Sequence, residues 1–252
     1  MMLLKRSFIV ATTLLTGMVF TQQAIAAIAL DRTRVIFNGA DKSVSLNVSN
    51  QNKDLPYLAQ GWMEDINGQK VESPLIVLPP IQRIEPGDKS QIKIQGLPDV
   101  AKLPQDRESV FYFNLREIPP RSDKPNVLQI ALQTRIKLFY RPAAIYATQT
   151  DLTNPWQEKI TLTKKGDIYQ VNNPTPYYVT IVDGLTGLKG ESLNGFVPLM
   201  IEPKGSANLN LKASAFGVSP VLSYINDYGG RPRLKFSCSG NDCKVVETAV
   251  GN

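Results

Sequence analysis

The chain has 252 residues, a formal net charge of +6 and no histidine. The lack of histidine excludes Ser-His-Asp and Cys-His catalysis as well as His-ligated metal sites. A carboxylate pair or a Ser-Lys arrangement stays open, but no residue spacing proposes one. The basic excess is mild and does not interleave with aromatic residues, which argues against nucleic acid as a partner. The sequence indicates no cofactor and no enzyme.

The N-terminus has the layout of a secretory signal peptide. Lys5 and Arg6 precede the mostly apolar run Ser7–Phe20, and Ala24-Ile25-Ala26 follows. The run is too short for a comfortable membrane span, although an uncleaved anchor stays open. We expect residues 1–26 to be removed on export. The mature chain then has 26 basic and 22 acidic residues, a net charge of +4, and is long enough for one large or two smaller domains.

The two cysteines, Cys238 and Cys243, bracket a turn sequence of Ser, Gly, Asn and Asp. In an exported protein this spacing predicts a disulfide across a hairpin. Because the closed loop is small, its entropic stabilisation is only about 2 kcal/mol.

Short runs of alternating apolar residues recur between turn signals. The predicted strands of the first half are Ile28–Phe37, Val44–Val48, Tyr57–Glu64, Leu75–Leu78, Gln91–Ile94, Val110–Ile118 and Val127–Tyr140. Those of the second half are Ile160–Thr163, Ile168–Val171, Tyr177–Val182, Phe196–Ile201, Asn208–Leu211, Val221–Ile225, Leu234–Ser237 and Lys244–Glu247. This pattern predicts an all-β chain of two sandwiches, over residues 27–142 and 143–252. The spaced glycines of Gly184–Gly195 form no phosphate-binding motif, because no GK[ST] sequence follows.

The stretch Val127–Tyr140 contains no Gly, Pro, Asn or Asp, which predicts one strand of about 14 residues. Ordinary strands have about 5–6 residues. Leu128, Ile130 and Leu132 fall on one face with a period of two. An apolar row that overhangs its sheet packs in the chain's own core or pairs with another chain. Periodicity alone favours the first of these.

Several segments resemble one known family. They are ALDRTRVIF (Ala29–Phe37), LPYLAQGW (Leu55–Trp62), LPQDRESVFYFNLREIPPR (Leu103–Arg121), NVLQIALQTRIKLFYRPAAI (Asn126–Ile145), NPTPYYVT (Asn173–Thr180) and SYINDYGGRP (Ser223–Pro232). Together they resemble the periplasmic chaperones of the chaperone–usher pilus pathway, over nearly all of the mature chain. The match is weak in Gly184–Gly195 and after Val245.

The resemblance implies two immunoglobulin-like β-sandwich domains arranged around a cleft, in a boomerang shape. It also implies a periplasmic chaperone that binds and folds pilin or adhesin subunits by donor-strand complementation and delivers them to an outer-membrane usher. In such a protein Leu128, Ile130 and Leu132 would enter the groove of an incomplete subunit. With the resemblance, this reading replaces packing in the chain's own core.

Charged residues acquire roles by the same resemblance. Arg34 and Lys137 correspond to the cations that hold the subunit's C-terminal carboxylate. Glu108, Arg141 and Asp227 correspond to an ion network between the two domains. Arg135 is a further basic neighbour of the first pair and is expected to be exposed rather than anchoring.

Two other points stay open at this level. A secreted immunoglobulin-like fimbrial subunit or adhesin would also be all-β, although it would be expected to carry its own donor extension. No ATP site is visible, so release of a subunit would occur by strand exchange. Whether the free chain caps its exposed strand by self-association as a dimer is also open.

Overall fold

The computed structural model describes residues 26–148 and 153–250. The predicted signal peptide, apart from Ala26, lies outside the described residues. In chain order the first strands are β1 (Ile28–Leu30), β2 (Arg34–Asn38), β3 (Ser43–Asn50), β4 (Tyr57–Glu64), β5 (Lys70–Val71), β6 (Leu75–Leu78), β7 (Ile81–Ile84), β8 (Lys89–Gly96), β9 (Ser109–Ile118) and β10 (Gln133–Arg141). The remaining ones are β11 (Thr161–Lys165), β12 (Ile168–Asn172), β13 (Val179–Leu185), β14 (Leu199–Ile201), β15 (Ser206–Lys212), β16 (Val221–Tyr224), β17 (Arg233–Ser239) and β18 (Asp242–Ala249).

Four short 3-10 turns lie between or beside these strands. They are Pro98–Lys102, Ala143–Ile145, Trp156–Lys159 and Ala213–Phe216. Within the described ranges, no helix is both long and apolar enough to cross a membrane. Each stretch predicted as a strand overlaps an observed strand, and the all-β prediction is confirmed. The sequence pattern missed the short strands β5 and β7.

The strands β1 to β10 form two sheets around one core. The order in the first sheet is β1, β3, β8, β6, and the order in the second is β2, β10, β9, β4, β5, with β7 also paired to β4. Exposed and buried residues alternate along β3 and β8, which points Leu46 and Ile92 into the core. Phe113 and Leu138 of the second sheet pack into the same core. Two sheets closed over one apolar layer make a β-sandwich.

The N-terminal segment divides between the two sheets, whereas the sequence predicted a single strand over Ile28–Phe37. Strand β1 pairs antiparallel with β3, and β2 pairs in parallel with β10. The crossing lies at Asp31–Thr33, where the Asp31 carboxylate binds Arg32 at 2.8 Å. This crossing places Arg34 at the start of β2, directly beside β10.

The strands β11 to β18 enclose a second core. Their hydrogen-bonded order is β14, β13, β16, β17, β18, β11, β12, β15, and the two end strands contact each other. The core includes Ile181, Phe216, Leu222 and Phe236. Cys238 and Cys243 face each other across the hairpin of β17 and β18 and are bonded at an S–S distance of 2.00 Å. The predicted hairpin disulfide is confirmed.

The predicted long strand is wrong in its first part. Strand β10 begins at Gln133 and has 9 residues, so that Val127–Leu132 lies outside any strand. The last backbone bond toward β9 runs from the Glu117 N–H to the Leu132 carbonyl, at 3.0 Å. The chain opposite then continues as Pro119-Pro120, which has no N–H groups to donate. The ladder ends there because its neighbouring strand ends, not because Val127–Leu132 lacks strand-forming residues.

Candidate functional site

The apolar row before β10 is exposed. Leu128, Ile130 and Leu132 are 85%, 65% and 37% exposed, and Val127 is also exposed. The row therefore does not pack in the chain's own core, which periodicity alone had favoured. Contiguous exposed aliphatic side chains on a folded protein mark an interaction site.

The exposed row continues the numbering of the core-facing residues of β10. Ile136 and Leu138 are buried in the first core. If the segment before β10 is extended, Leu128, Ile130 and Leu132 fall on the same even-numbered face. The pairing of β2 with β10 begins only at Lys137. Among the described strands, none pairs with the edge of β10 on this side before Lys137. A strand from another chain can therefore pair here and cover the exposed row.

Arg34 and Lys137 lie at the point where β2 stops pairing with β10. They are register partners in the parallel ladder, so their side chains emerge side by side. Arg34 donates from Nη1 to the Ile225 carbonyl at 3.3 Å, whereas its buried Nε has no partner. Lys137 forms no ion pair or hydrogen bond with another described side chain. Two cations thus stand together with unused donors.

The electrostatics of this pair favour an anion. Burial lowers the pKa of the Arg34 guanidinium, while Asp227 and Glu108 act in the opposite direction. Burial also lowers the pKa of the Lys137 ammonium, and the charges of Arg34 and Arg135 lower it further. A carboxylate bound between the two would offset this repulsion and accept charge-assisted hydrogen bonds. The anchor role of Arg34 and Lys137 stays a prediction.

A cleft of about 380 Å³ adjoins Arg34. It is lined from the first core's side by Arg34 and Ile36, and from the second core's side by Asp227 and Tyr228. Arg141 also lines it. The cleft is therefore formed where the two halves of the chain meet.

Glu108, Arg141 and Asp227 are in direct contact. Arg141 Nη2 lies 2.7 Å from Glu108 Oε1, and Arg141 Nη1 donates to Asp227 Oδ2 at 2.9 Å. The second Glu108 oxygen accepts the Tyr178 N–H at 2.7 Å. Because Tyr178 and Asp227 belong to the second half of the chain, these bonds join the two halves. Their role in fixing a domain angle stays a prediction.

Burial distinguishes this network from a surface ion pair. Glu108 and Arg141 are only 3% and 2% exposed. Burial raises the pKa of Glu108 to about 7, although Arg141 and the Tyr178 N–H act to lower it. The Arg141 guanidinium also lies 4.9 Å from the Trp156 ring and 4.8 Å from the Tyr177 ring. Sequence reasoning missed both rings, because only the folded chain brings them to Arg141.

Arg135 is held by groups that sequence reasoning also missed. Its Nε donates to Glu64 Oε2 at 2.8 Å, and its guanidinium lies 3.5 Å from the centre of the Tyr112 ring. Glu64 Oε1 accepts from Trp62 Nε1 at 2.9 Å. The only sequence signal for this cluster is the alternation along β4, β9 and β10, which places these side chains on one face.

Two family models match the chain. The model described as pili and flagellar-assembly chaperone, PapD N-terminal domain, matches residues 27–146. The model described as pili assembly chaperone PapD, C-terminal domain, matches residues 155–236. The chain belongs to the PapD family of pili assembly chaperones. The resemblance carried by the sequence segments is thereby confirmed.

Known members of the PapD family are closely similar over most of their length. The probable fimbrial chaperone YfcS of Escherichia coli K12 is 54% identical over 89% of this chain and 88% of its own. The chaperone protein PapD of Escherichia coli is 54% identical over 88% of this chain and 91% of its own. The crystal structure of the periplasmic chaperone SfaE matches with a TM-score of 0.65 and 28% identity, over 89% of this chain and 98% of that chain.

These matches favour a chaperone of pilus assembly over the alternative of a fimbrial subunit or adhesin. A family of chaperones is not a class of enzymes. The two-domain fold expected from the resemblance is confirmed by the same matches.

Proposed function

We propose that the chain captures pilin or adhesin subunits by lending them the segment Val127–Thr134 as a donor strand. The observation that carries this proposal is the exposed row of Leu128, Ile130 and Leu132, which continues with a period of two to the buried Ile136 and Leu138 of β10. A subunit with an immunoglobulin-like fold that lacks one strand has an apolar groove of matching period. Each aliphatic side chain buried there contributes about 2 kcal/mol, or roughly 6 kcal/mol for the row before ordering costs.

Arg34 and Lys137 give the donor strand its register. A strand pair slides easily unless something besides backbone bonds sets its alignment. The C-terminal carboxylate of a subunit is an anion at a defined place in the chain. The two cations provide unused donors at a defined place, where β2 begins to pair with β10. We infer that the carboxylate binds between them and that the groove residues then meet the exposed row.

The interdomain contacts keep this site in shape. The buried ion pairs of Arg141 with Glu108 and Asp227 hold the cleft walls together. Glu108 further ties β9 to Tyr178. We infer that these ion pairs and hydrogen bonds fix the angle between the two domains. That angle sets the distance between the cleft walls.

We place the chain in the periplasm, reached by means of a signal peptide over residues 1–26 that is cleaved on export. There it would protect each subunit from premature polymerisation and deliver it to an outer-membrane usher. Release occurs by exchange, as the N-terminal extension of the next subunit replaces the donor strand. Without a subunit, the same edge is open to a second copy of the chain, which gives a self-capped dimer.

Co-expression with a pilin subunit tests the proposal. The chain should yield a stable one-to-one complex, and the subunit alone should be degraded or aggregate. Sedimentation of the free chain reports whether a self-capped dimer forms, and added subunit should dissociate that dimer. Fibres formed by the chain itself, or a failure to retain any subunit, would contradict the chaperone role.

A further inference from the structure

Three cations share one face of the sheet beside the exposed row. Arg135 and Lys137 are two residues apart on β10, so their side chains leave the strand on the same side. Arg34 is the neighbour of Lys137 across the ladder. A carboxylate that approaches this face therefore meets two candidate positions along β10, at Lys137 and at Arg135.

These two positions correspond to two complete registers of a bound strand. Side chains of a strand alternate with a period of two, so a slip of one residue turns every side chain to the wrong face. A slip of two residues, about 7 Å, keeps every side chain on its original face. The alternation of apolar residues therefore disfavours a slip of one residue but does not prevent a slip of two residues. Selection between Lys137 and Arg135 has to come from their charges.

Arg135 and Lys137 have different surroundings in the structure. Arg135 is neutralised by Glu64, which is 15% exposed and bound at 2.8 Å, and its guanidinium is stacked on Tyr112. Hydrogen bonds from Arg135 and Trp62 hold the pKa of Glu64 below its usual value against the effect of burial, which keeps the carboxylate charged. Within the described part of the chain, no carboxylate is paired with Lys137 or Arg34.

We propose that Glu64, with Tyr112, sequesters Arg135 so that a subunit's terminal carboxylate binds only at Arg34 and Lys137. Glu64 is thus a positioning residue that prevents a slip of two residues in the donor-strand pairing. This inference rests on the proposed function and adds a determinant of register to it. Its partner is the same C-terminal carboxylate of an extended strand.

The test measures register directly by disulfide trapping. The probe is a synthetic peptide of twelve residues in which valine and threonine alternate, with two lysines added at the N-terminus, one cysteine within the strand and a free C-terminal carboxylate. Gln129→Cys and Ala131→Cys give two exposed trapping positions on one face, two residues apart. The cysteine of the peptide is placed so that it forms its cross-link with position 131 in the otherwise unchanged chain.

Glu64→Gln removes the charge of Glu64 and keeps an oxygen that can accept from Trp62. Movement of the carboxylate from Lys137 to Arg135 carries the peptide toward lower residue numbers. Cross-linking should therefore shift from position 131 toward position 129, with a change of about tenfold in their ratio. Arg135→Gln in the same chain should restore the original ratio, which a merely structural role of Glu64 would not do.

The controls distinguish a failure of the register inference from a failure of the proposed function. The same peptide with a C-terminal amide should show no preference that depends on Glu64. An unchanged cross-linking ratio in Glu64→Gln, with the peptide still bound at position 131, would overturn the register inference alone. No cross-link at either position in the otherwise unchanged chain would count against the proposed function itself and remove this inference with it.

Discussion

Arg34 and Lys137 are direct neighbours in the parallel ladder of β2 and β10, and both are partly withdrawn from water. Burial and mutual repulsion both disfavour this placement of two like charges. Neither side chain forms an ion pair with another described residue. The arrangement is unfavourable in the free chain, and an anion bound between the two cations would offset their repulsion. This is the behaviour expected of a site made for a ligand.

Arg34→Ala and Lys137→Ala should each abolish or strongly weaken subunit capture without unfolding the chain. A hydrogen bond to a charged group contributes about 1.5–3 kcal/mol, so each variant should lower affinity by at least tenfold. Co-purification with a pilin subunit measures capture, and thermal unfolding measures the fold. Arg83→Ala is a matched control, because Arg83 is an exposed cation paired only with Glu85. Undiminished capture by Arg34→Ala would refute the anchor.

Ile130→Asp should weaken the complex and leave the melting temperature of the free chain unchanged. The Ile130 side chain is 65% exposed in the free chain, so a charge there is solvated until the subunit groove covers it. Ala131→Asp introduces the same charge on the other face and is the matched control. If Ile130→Asp lowers the melting temperature instead, or if Ala131→Asp is equally harmful to capture, the even-numbered face is not the donor face.

The residue pattern of the chain was enough to predict most of its strands and its disulfide. Periodicity located β4 and β6 with their observed bounds, because half-buried strands impose strict alternation. It did not show that Ile28–Phe37 divides between two sheets. That division depends on which strand each half pairs with, β3 for the first half and β10 for the second. The sequence of the segment itself does not contain this information. The start of β10 at Gln133 was not predictable for the same reason, since it depends on Pro119-Pro120 in another segment.

Candidate site residues were predictable only in part. The apolar row was visible as a period of two, but its exposure required the structure. Arg34, Lys137 and the ion network came from the resemblance, and their contacts are spread across up to 191 residues of separation, as for Arg34 and Ile225. The contacts of Trp156 and Tyr177 with Arg141 gave no sequence signal, because stacking on a guanidinium leaves no local pattern. For Glu64 the alternation along β4 indicated only the face of the sheet, not its pairing with Arg135.

Removal of the disulfide should lower the stability of the C-terminal sandwich by about 2 kcal/mol, as expected for a short closed loop. Cys238→Ser combined with Cys243→Ser is the variant, and urea unfolding of the free chain is the measurement. Capture of subunits should be unchanged, because Arg34, Lys137 and the donor segment all lie in the other half of the chain. A loss of capture in the folded double variant would show that the second sandwich contributes more to binding than these contacts indicate.

Arg141→Ala should destabilise the chain by about 3–5 kcal/mol, because it leaves the buried Glu108 carboxylate without its cation. Arg141→Met combined with Glu108→Gln should recover part of that loss, since the pair is then removed together. Lys102→Ala, which breaks only an exposed pair with Asp99, is the control and should cost less than about 1 kcal/mol. Equal effects of Arg141→Ala and Lys102→Ala in urea unfolding would contradict a buried interdomain network.

Protonation of Glu108 in the folded chain should raise the free energy of unfolding as the pH falls from 7 to about 5. Burial raises the pKa of Glu108 to about 7, whereas the exposed carboxyl of the unfolded chain titrates near 4.5. Between these values the folded chain binds a proton that the unfolded chain does not, so the free energy of unfolding rises as the pH is lowered. The chain has no histidine to titrate in the same window. Urea unfolding at pH 8, 6.5 and 5 should show this rise, and Glu108→Gln should abolish it. A flat profile in the unaltered chain would mean that Arg141 keeps Glu108 ionised throughout this range.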